Sequence, residues 1–228
     1  MAHIIAIDTT TKVCSAAVLE SGRCVAERVD YAGQNHGKLL GVFVRELLKE
    51  TAVRPDAIAL SMGPGSYTGL RIGASFVKGL GFGWNAPVIT LPTLQILSAA
   101  LMQKCPDLPT DAWLCPMIDA RRMEVYSAIY DQQLVERRET MPDIVDANTY
   151  DRWLQERPVV FFGDGAAKCA EVIVHPNARF VSDIHPLASA MGALSEKAFQ
   201  TGDFADLAYF EPFYLKEFQA SVPKNKVF

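Results

Sequence analysis

Ser61-Met62-Gly63-Pro64-Gly65-Ser66-Tyr67-Thr68-Gly69-Leu70-Arg71-Ile72-Gly73 is the stretch on which the reading of this chain turns. The run before it, residues 57–61, is apolar and follows Pro55, as a buried strand should. Gly63 and Gly65 allow a sharp backbone turn and Pro64 stiffens it. The helix that begins near Thr68 presents free N–H groups in its first turn. Two readings stand side by side on these residues: a cradle for an anion, or a tight strand-to-helix elbow. A P-loop is excluded, because no Gly-Lys-Ser/Thr ending follows.

The helix predicted over residues 68–83 carries Gly69, Gly73, Gly79 and Gly81 among Leu70, Ile72, Phe76, Val77 and Leu80, with Arg71 and Lys78 as its only charges. A helical Gly costs up to about 1 kcal/mol relative to Ala, so several of them call for close packing. Upstream, Leu39, Leu40, Phe43, Val44, Leu47 and Leu48 recur at helical spacing and predict a second amphipathic helix over 35–50. Either the pair lays one face on its own sheet and offers the other to a partner, or both faces are internal core.

Residues 3–8 form an apolar run ending in Asp8, followed by Thr9 and Thr10. Such a strand end can hold a carboxylate near a metal and a turn around a phosphate, or it can satisfy its own backbone donors. Two further strands flank the Glu20-Ser21-Gly22 turn, and 88–90 and 93–101 read as a strand and a helix. The polar, proline-bounded residues 106–109 divide the chain into domains 1–105 and 106–228. The second contains strands at 113–119, 124–130 and 158–162 and helices at 147–156, 166–173 and 187–200. The last helix is expected to pack back on the first half, and 222–228 reads as a loose tail.

Bulk properties narrow the function. A formal charge of −4 over 228 residues gives no footprint for unaided nucleic-acid binding, so contact with RNA is expected to be indirect. The five cysteines are scattered with no CxxC pair, which fits reduced thiols in the cytoplasm. No apolar stretch is long enough to span a bilayer. No HxxxH pair, GxSxG elbow or Cys–His set appears, so histidine-held metal and nucleophilic hydrolysis are not supported. Asp119 and Glu124 flank Arg121 and Arg122 and read as a turn with local charge pairing.

The order Ile7-Asp8-Thr9-Thr10, Asn35-His36 before Leu39-Leu40, Gly63-Pro64-Gly65-Ser66-Tyr67-Thr68-Gly69-Leu70-Arg71-Ile72-Gly73, and Asp119-Ala120-Arg121-Arg122-Met123-Glu124-Val125-Tyr126 resembles the TsaB (YeaZ-type) family of the bacterial tRNA threonylcarbamoyladenosine machinery. The ending Tyr209-Phe210-Glu211-Pro212-Phe213-Tyr214-Leu215-Lys216 is also similar. The resemblance implies an α/β, actin-like ATPase (ribonuclease H-like) fold of two duplicated mixed-sheet domains. It implies a non-catalytic subunit that pairs with the catalytic paralogue TsaD and, with the ATPase TsaE, supports threonylcarbamoyl transfer to the adenosine beside the anticodon. On that view the chain needs no cofactor of its own, ATP and metal belong to the partners, tRNA is met through the complex, and the free chain forms homodimers. Asp8, Thr9, Gly63 and Gly65 become vestiges of a nucleotide site. The partner surface is expected at His36, Leu39, Leu40, Phe43 and Leu47 on the first helix and Leu70, Ile72, Gly73, Phe76 and Leu80 on the second. Where the paralogue holds metal with a His-x-x-x-His pair, this chain has Thr93-Leu94-Gln95-Ile96-Leu97. Its second phosphate loop is replaced by Asp119-Ala120-Arg121-Arg122-Met123, and the adenosine loop is reduced to Gly163-Asp164-Gly165-Ala166-Ala167. An ATP-binding enzyme of the same fold is the alternative reading, and a glycoprotease-like peptidase has little support.

Overall fold

The computed structural model describes residues 2–33 and 35–216, so the tail expected over 222–228 lies outside the described residues. They form two five-stranded sheets. In the first, β1 (His3–Asp8) lies in the middle. It pairs antiparallel with β2 (Cys14–Glu20) and parallel with β4 (Ala57–Ser61), while β3 (Arg23–Asp30) and β5 (Val88–Leu91) form the edges. A strand covered on both faces reads as a continuous apolar run, which is why His-Ile-Ile-Ala-Ile-Asp shows no polar alternation. Its period of two appears instead as a division of labour. Ile5 and Ile7 join the core beneath α1 (His36–Thr51) and α2 (Tyr67–Trp84), and Ile4 and Ala6 join the core on the opposite face.

The second sheet repeats the first. Its order, β10-β9-β6-β7-β8, corresponds strand by strand to β5-β4-β1-β2-β3, with β6 (Trp113–Asp119) in the place of β1 and β9 (Val159–Phe162) in the place of β4. β6 pairs antiparallel with β7 (Glu124–Tyr130) and parallel with β9. This is the duplicated actin-like architecture. Between the sheets, α3 (Thr93–Lys104) gives Ile96 and Ala99 to the first core and Leu94, Leu97 and Leu101 to the second.

Several boundaries differ from the sequence expectation. β8 (Glu136–Ile144) and β10 (Ala178–Val181) carry no apolar run and were not foreseen; along β8 only Asp143 is buried. The helix expected over 147–156 starts at Asp151, because Asp146 folds its own turn by accepting from the Asn148 N–H and the Thr149 hydroxyl. That expected over 166–173 is α5, only Ala166–Cys169. The segment 187–200 is a 3-10 turn, Ala188–Met191, followed by α6 (Gly192–Thr201). A Cβ at Gly192 would lie 2.2 Å from the Gly22 carbonyl oxygen, so the chain kinks where backbone meets backbone. Ala188 and Met191 join the first half's core. The Ala188 N–H donates to the Ser15 hydroxyl (2.9 Å).

Candidate functional site

At the end of β1, Asp8 is 0 % exposed. Its carboxylate accepts from the Thr10 N–H (3.1 Å) and the Thr10 hydroxyl (3.0 Å). Burial outweighs these bonds and that from Ser61, and pushes the Asp8 carboxyl from 3.8 up to about 7. The Ser61 hydroxyl lies 2.9 Å from that of Thr93, which accepts from the Gly63 N–H (3.0 Å). The chain of polar groups thus closes on itself inside the fold.

The glycines of α2 and its elbow explain how. The Thr9 hydroxyl donates to the Gly69 carbonyl (2.8 Å), and the Ser66 N–H to the Thr10 carbonyl (2.6 Å). A Cβ would lie 2.4 Å from the Thr10 oxygen at Gly65, 2.0 Å from the Thr9 oxygen at Gly69, and 2.5 Å from Thr9 Oγ1 at Gly73. These positions are Gly so that α2 can lie directly on the turn after β1. The elbow reading therefore displaces the anion cradle: the loop's N–H groups at Gly63, Ser66 and Gly69 are already donated within the chain. Above Gly63, at φ 118° before a cis bond to Pro64, lies the carbonyl of Phe213, whose N–H donates to Met62 O (2.7 Å).

The cleft between the halves is closed beside this turn and open farther along, where Tyr31, Gln103, Lys104, Asp183, His185 and Ser189 line a cavity of about 330 Å³. Thr11, Lys12, Leu97, Ile118, Asp164 and His185 line a space that does not admit a water molecule. A Cβ at Gly163 would meet the Met117 oxygen at 2.3 Å, and one at Gly165 the Ile118 carbonyl carbon at 2.9 Å. Thr93 is committed to Ser61 and Gly63, and Leu97 is core, so neither position offers a metal ligand. At the Thr9–Lys12 and Gly163–Gly165 turns the close backbone approaches leave no room for a phosphate.

The ten expected partner-surface residues divide. Leu40, Leu47 and Leu70 are at most 2 % exposed and, with buried Gly73, face their own sheet. His36 is also buried, its Nε2 2.9 Å from the Thr11 carbonyl, where it pins the loop after β1. These five are internal, because the stripe that gives each helix its periodicity is the one it lays on β2 and β4. Leu39, Phe43, Ile72, Phe76 and Leu80 are half-buried and remain at the outer surface. Beside them Gly79 and Gly83 have nothing within 4 Å of where a Cβ would be, and Phe82 between them is 84 % exposed. Phe82 was missed because a phenylalanine in an apolar helix reads as core; its spacing from Gly79 and Gly83 on the outward face was the available signal.

A family model described as "TsaD: tRNA N6-adenosine threonylcarbamoyltransferase" matches residues 30–223. The "tRNA threonylcarbamoyladenosine biosynthesis protein TsaB" of Bacillus subtilis is 31 % identical over 170 residues, covering 70 % of each chain. That of Haemophilus influenzae is 35 % identical over 126 residues, covering 54 % of this chain and 51 % of its own. The structure of "YeaZ from Pseudomonas aeruginosa" superimposes with a TM-score of 0.80 at 28 % identity, covering 94 % of this chain and all of that one. The chain belongs to the TsaB family.

For a TsaB-family chain the loop Asp119–Glu124 differs from expectation. Asp119 pairs with Lys168 and Glu124 with Lys216, leaving Arg121 and Arg122 exposed and, among the described residues, without a carboxylate. The correction is physical: both arginines lie at left-handed φ, 71° and 51°, at the tip of the loop, while the lysines approach from α5 and the C-terminal segment. Among the described residues no three His, Cys, Asp or Glu side chains gather as a metal cage. No helix among them is long and apolar enough to cross a membrane.

Proposed function

We propose that the chain is a cytoplasmic, non-catalytic scaffold or activator subunit in threonylcarbamoylation of tRNA adenosine, docking α1 and α2 against the matching helices of a TsaD-type paralogue, with a TsaE-type ATPase completing the assembly. ATP and metal then belong to the partners, and the same helix face supports a homodimer when the chain is alone. The observation that carries this reading is the outward face of α2. Gly79 and Gly83 carry the helix cost of Gly although, among the described residues, no atom lies within 4 Å of where a Cβ would be, and they stand beside the exposed Phe82 and the half-buried Phe76 and Leu80. Close approach by a second helix supplies the missing reason. The closed turns at Thr9–Lys12 and Gly163–Gly165 support the non-catalytic part.

The test is co-elution with the TsaD-type partner by size-exclusion chromatography. Phe82→Asp, at a side chain the fold does not use, should abolish the complex and leave thermal unfolding of the free chain unchanged. Phe43→Asp should do the same at some expense of stability, because Phe43 also touches the core. A complex that survives both changes refutes the docking face, and tight Mg-ATP binding by the isolated chain in calorimetry would revive the ATP-binding alternative.

A further inference from the structure

The loop between β6 and β7 carries charge that no carboxylate among the described residues pairs with. Arg121 and Arg122 stand next to each other at left-handed φ, where Gly or Asn would sit without strain. Two consecutive residues at positive φ are what a tight turn between antiparallel strands requires, and here arginine fills both positions. Neither guanidinium finds a carboxylate among the described residues, since Lys168 and Lys216 have taken Asp119 and Glu124. Asp146 follows Val145, whose N–H donates to Met123 O, but its carboxylate is engaged by the Asn148 N–H and the Thr149 hydroxyl.

The C-terminal segment that pairs with this loop also carries aromatic surface. Lys216 joins the arginine loop to the C-terminal segment, and two residues earlier Tyr214 packs on Tyr67 with ring centroids 5.1 Å apart. The Arg71 guanidinium lies 4.4 Å over the Tyr67 ring and bonds Tyr214. Arginines interleaved with tyrosines are the surface that grips a ribonucleic-acid strand, charge on the phosphates and rings against bases or ribose. The negative charge of the whole chain does not oppose this, because the contact is local and the partner subunit would hold the rest of the RNA.

We infer that the Arg121–Arg122 loop, with the Tyr67–Tyr214–Arg71 cluster joined to it through Lys216, contacts the phosphodiester backbone of the RNA substrate in the assembled complex. The inference rests on the proposed function for its assembly and its RNA, and goes beyond it in giving this chain a direct RNA contact. It also reverses the expectation, drawn from net charge, that any such contact is indirect.

The test uses the complex with the TsaD-type partner, unmodified tRNA as probe, and the double variant R121N/R122G. That variant removes both charges and places residues suited to positive φ, so the fold should be as stable as before or more so. Co-elution with the partner should be unchanged. The slope of log affinity against log salt should fall by one to two, and affinity at 0.1 M salt by about 20-fold. R121K/R122K should restore the salt slope. Unchanged RNA affinity and slope in an intact complex would overturn the inference. So would loss of the complex in the double variant, which would assign the arginines to an acidic protein surface. If the wild-type complex never forms, the docking proposal fails instead, and titration of the free chain with tRNA at low salt still reads the arginines: no difference between wild type and variant there refutes the contact.

Discussion

Asp8 and Asp119 occupy the same place in the two halves, and what becomes of them differs completely. Each ends the central strand of its sheet, and each accepts an N–H two residues on, from Thr10 at 3.1 Å and from Arg121 at 3.0 Å. Each faces a glycine pair after the neighbouring parallel strand, Gly63 and Gly65 or Gly163 and Gly165. Asp8 is sealed; Asp119 is an exposed ion-pair partner of Lys168. The difference lies in the helix that follows the glycines. After Gly65 it runs for 18 residues across the turn, whereas after Gly165 it stops after four and leaves the loop open. One strand pattern has thus been closed into scaffold in the first half and left as a displayed loop in the second.

Protonation offers the largest test of this contrast. The folded Asp8 carboxyl titrates near 7 and the unfolded one near 3.8, so between these values the folded state binds more protons and stability falls as pH rises. The contribution is fully present below about pH 4 and lost by about pH 7, worth on the order of 4 kcal/mol. Asp8→Asn should therefore flatten the dependence of the urea midpoint on pH and make the chain more stable than wild type at pH 8. Asp119→Asn, at an exposed pair, should shift the midpoint by the equivalent of less than about 1 kcal/mol at either pH. A wild-type midpoint that does not fall between pH 5 and 8 would show that the carboxylate is not sealed as described.

Sterics give the next effect. At Gly69 a methyl group would meet the Thr9 carbonyl oxygen at 2.0 Å, so Gly69→Ala should lose about 2 to 3 kcal/mol by denaturant unfolding despite the better helix propensity of Ala. Retained stability would mean that α2 can lift off the turn, which would also reopen space at Thr9 and Thr10.

What the sequence disclosed follows the same division. The first half was legible nearly to the residue because buried strands are apolar runs and the helices carry their stripe. β4 was read at its observed bounds, and α1 and α2 to within about one residue. β8 was not legible: its one buried side chain, Asp143, is held by Arg138, Ser127 and Tyr150, and an ionic anchor leaves no hydrophobic pattern. At the site, the spacing of Gly63, Gly65 and Gly69 announced close approach but not its object. Only the fold shows that the object is Thr9 and Thr10 instead of an anion. The pairing of Asp119 and Glu124 was misassigned because their lysine partners lie 49 and 92 positions away (168 − 119 and 216 − 124).

The smallest effect concerns the glycines that the fold does not need. Gly79 lies in the same helix as Gly69, but its missing Cβ faces open space, so Gly79→Ala should raise the stability of the free chain by up to about 1 kcal/mol. The two alanine substitutions thus carry opposite signs within ten residues of one helix. If both glycines served only internal packing, both substitutions would destabilise. A chain that becomes more stable alone while dissociating faster from its TsaD-type partner would show that Gly79 is kept for the approach of another helix. A chain that becomes more stable with no change in that dissociation rate would place the contact elsewhere along α2, toward Phe82 and Gly83.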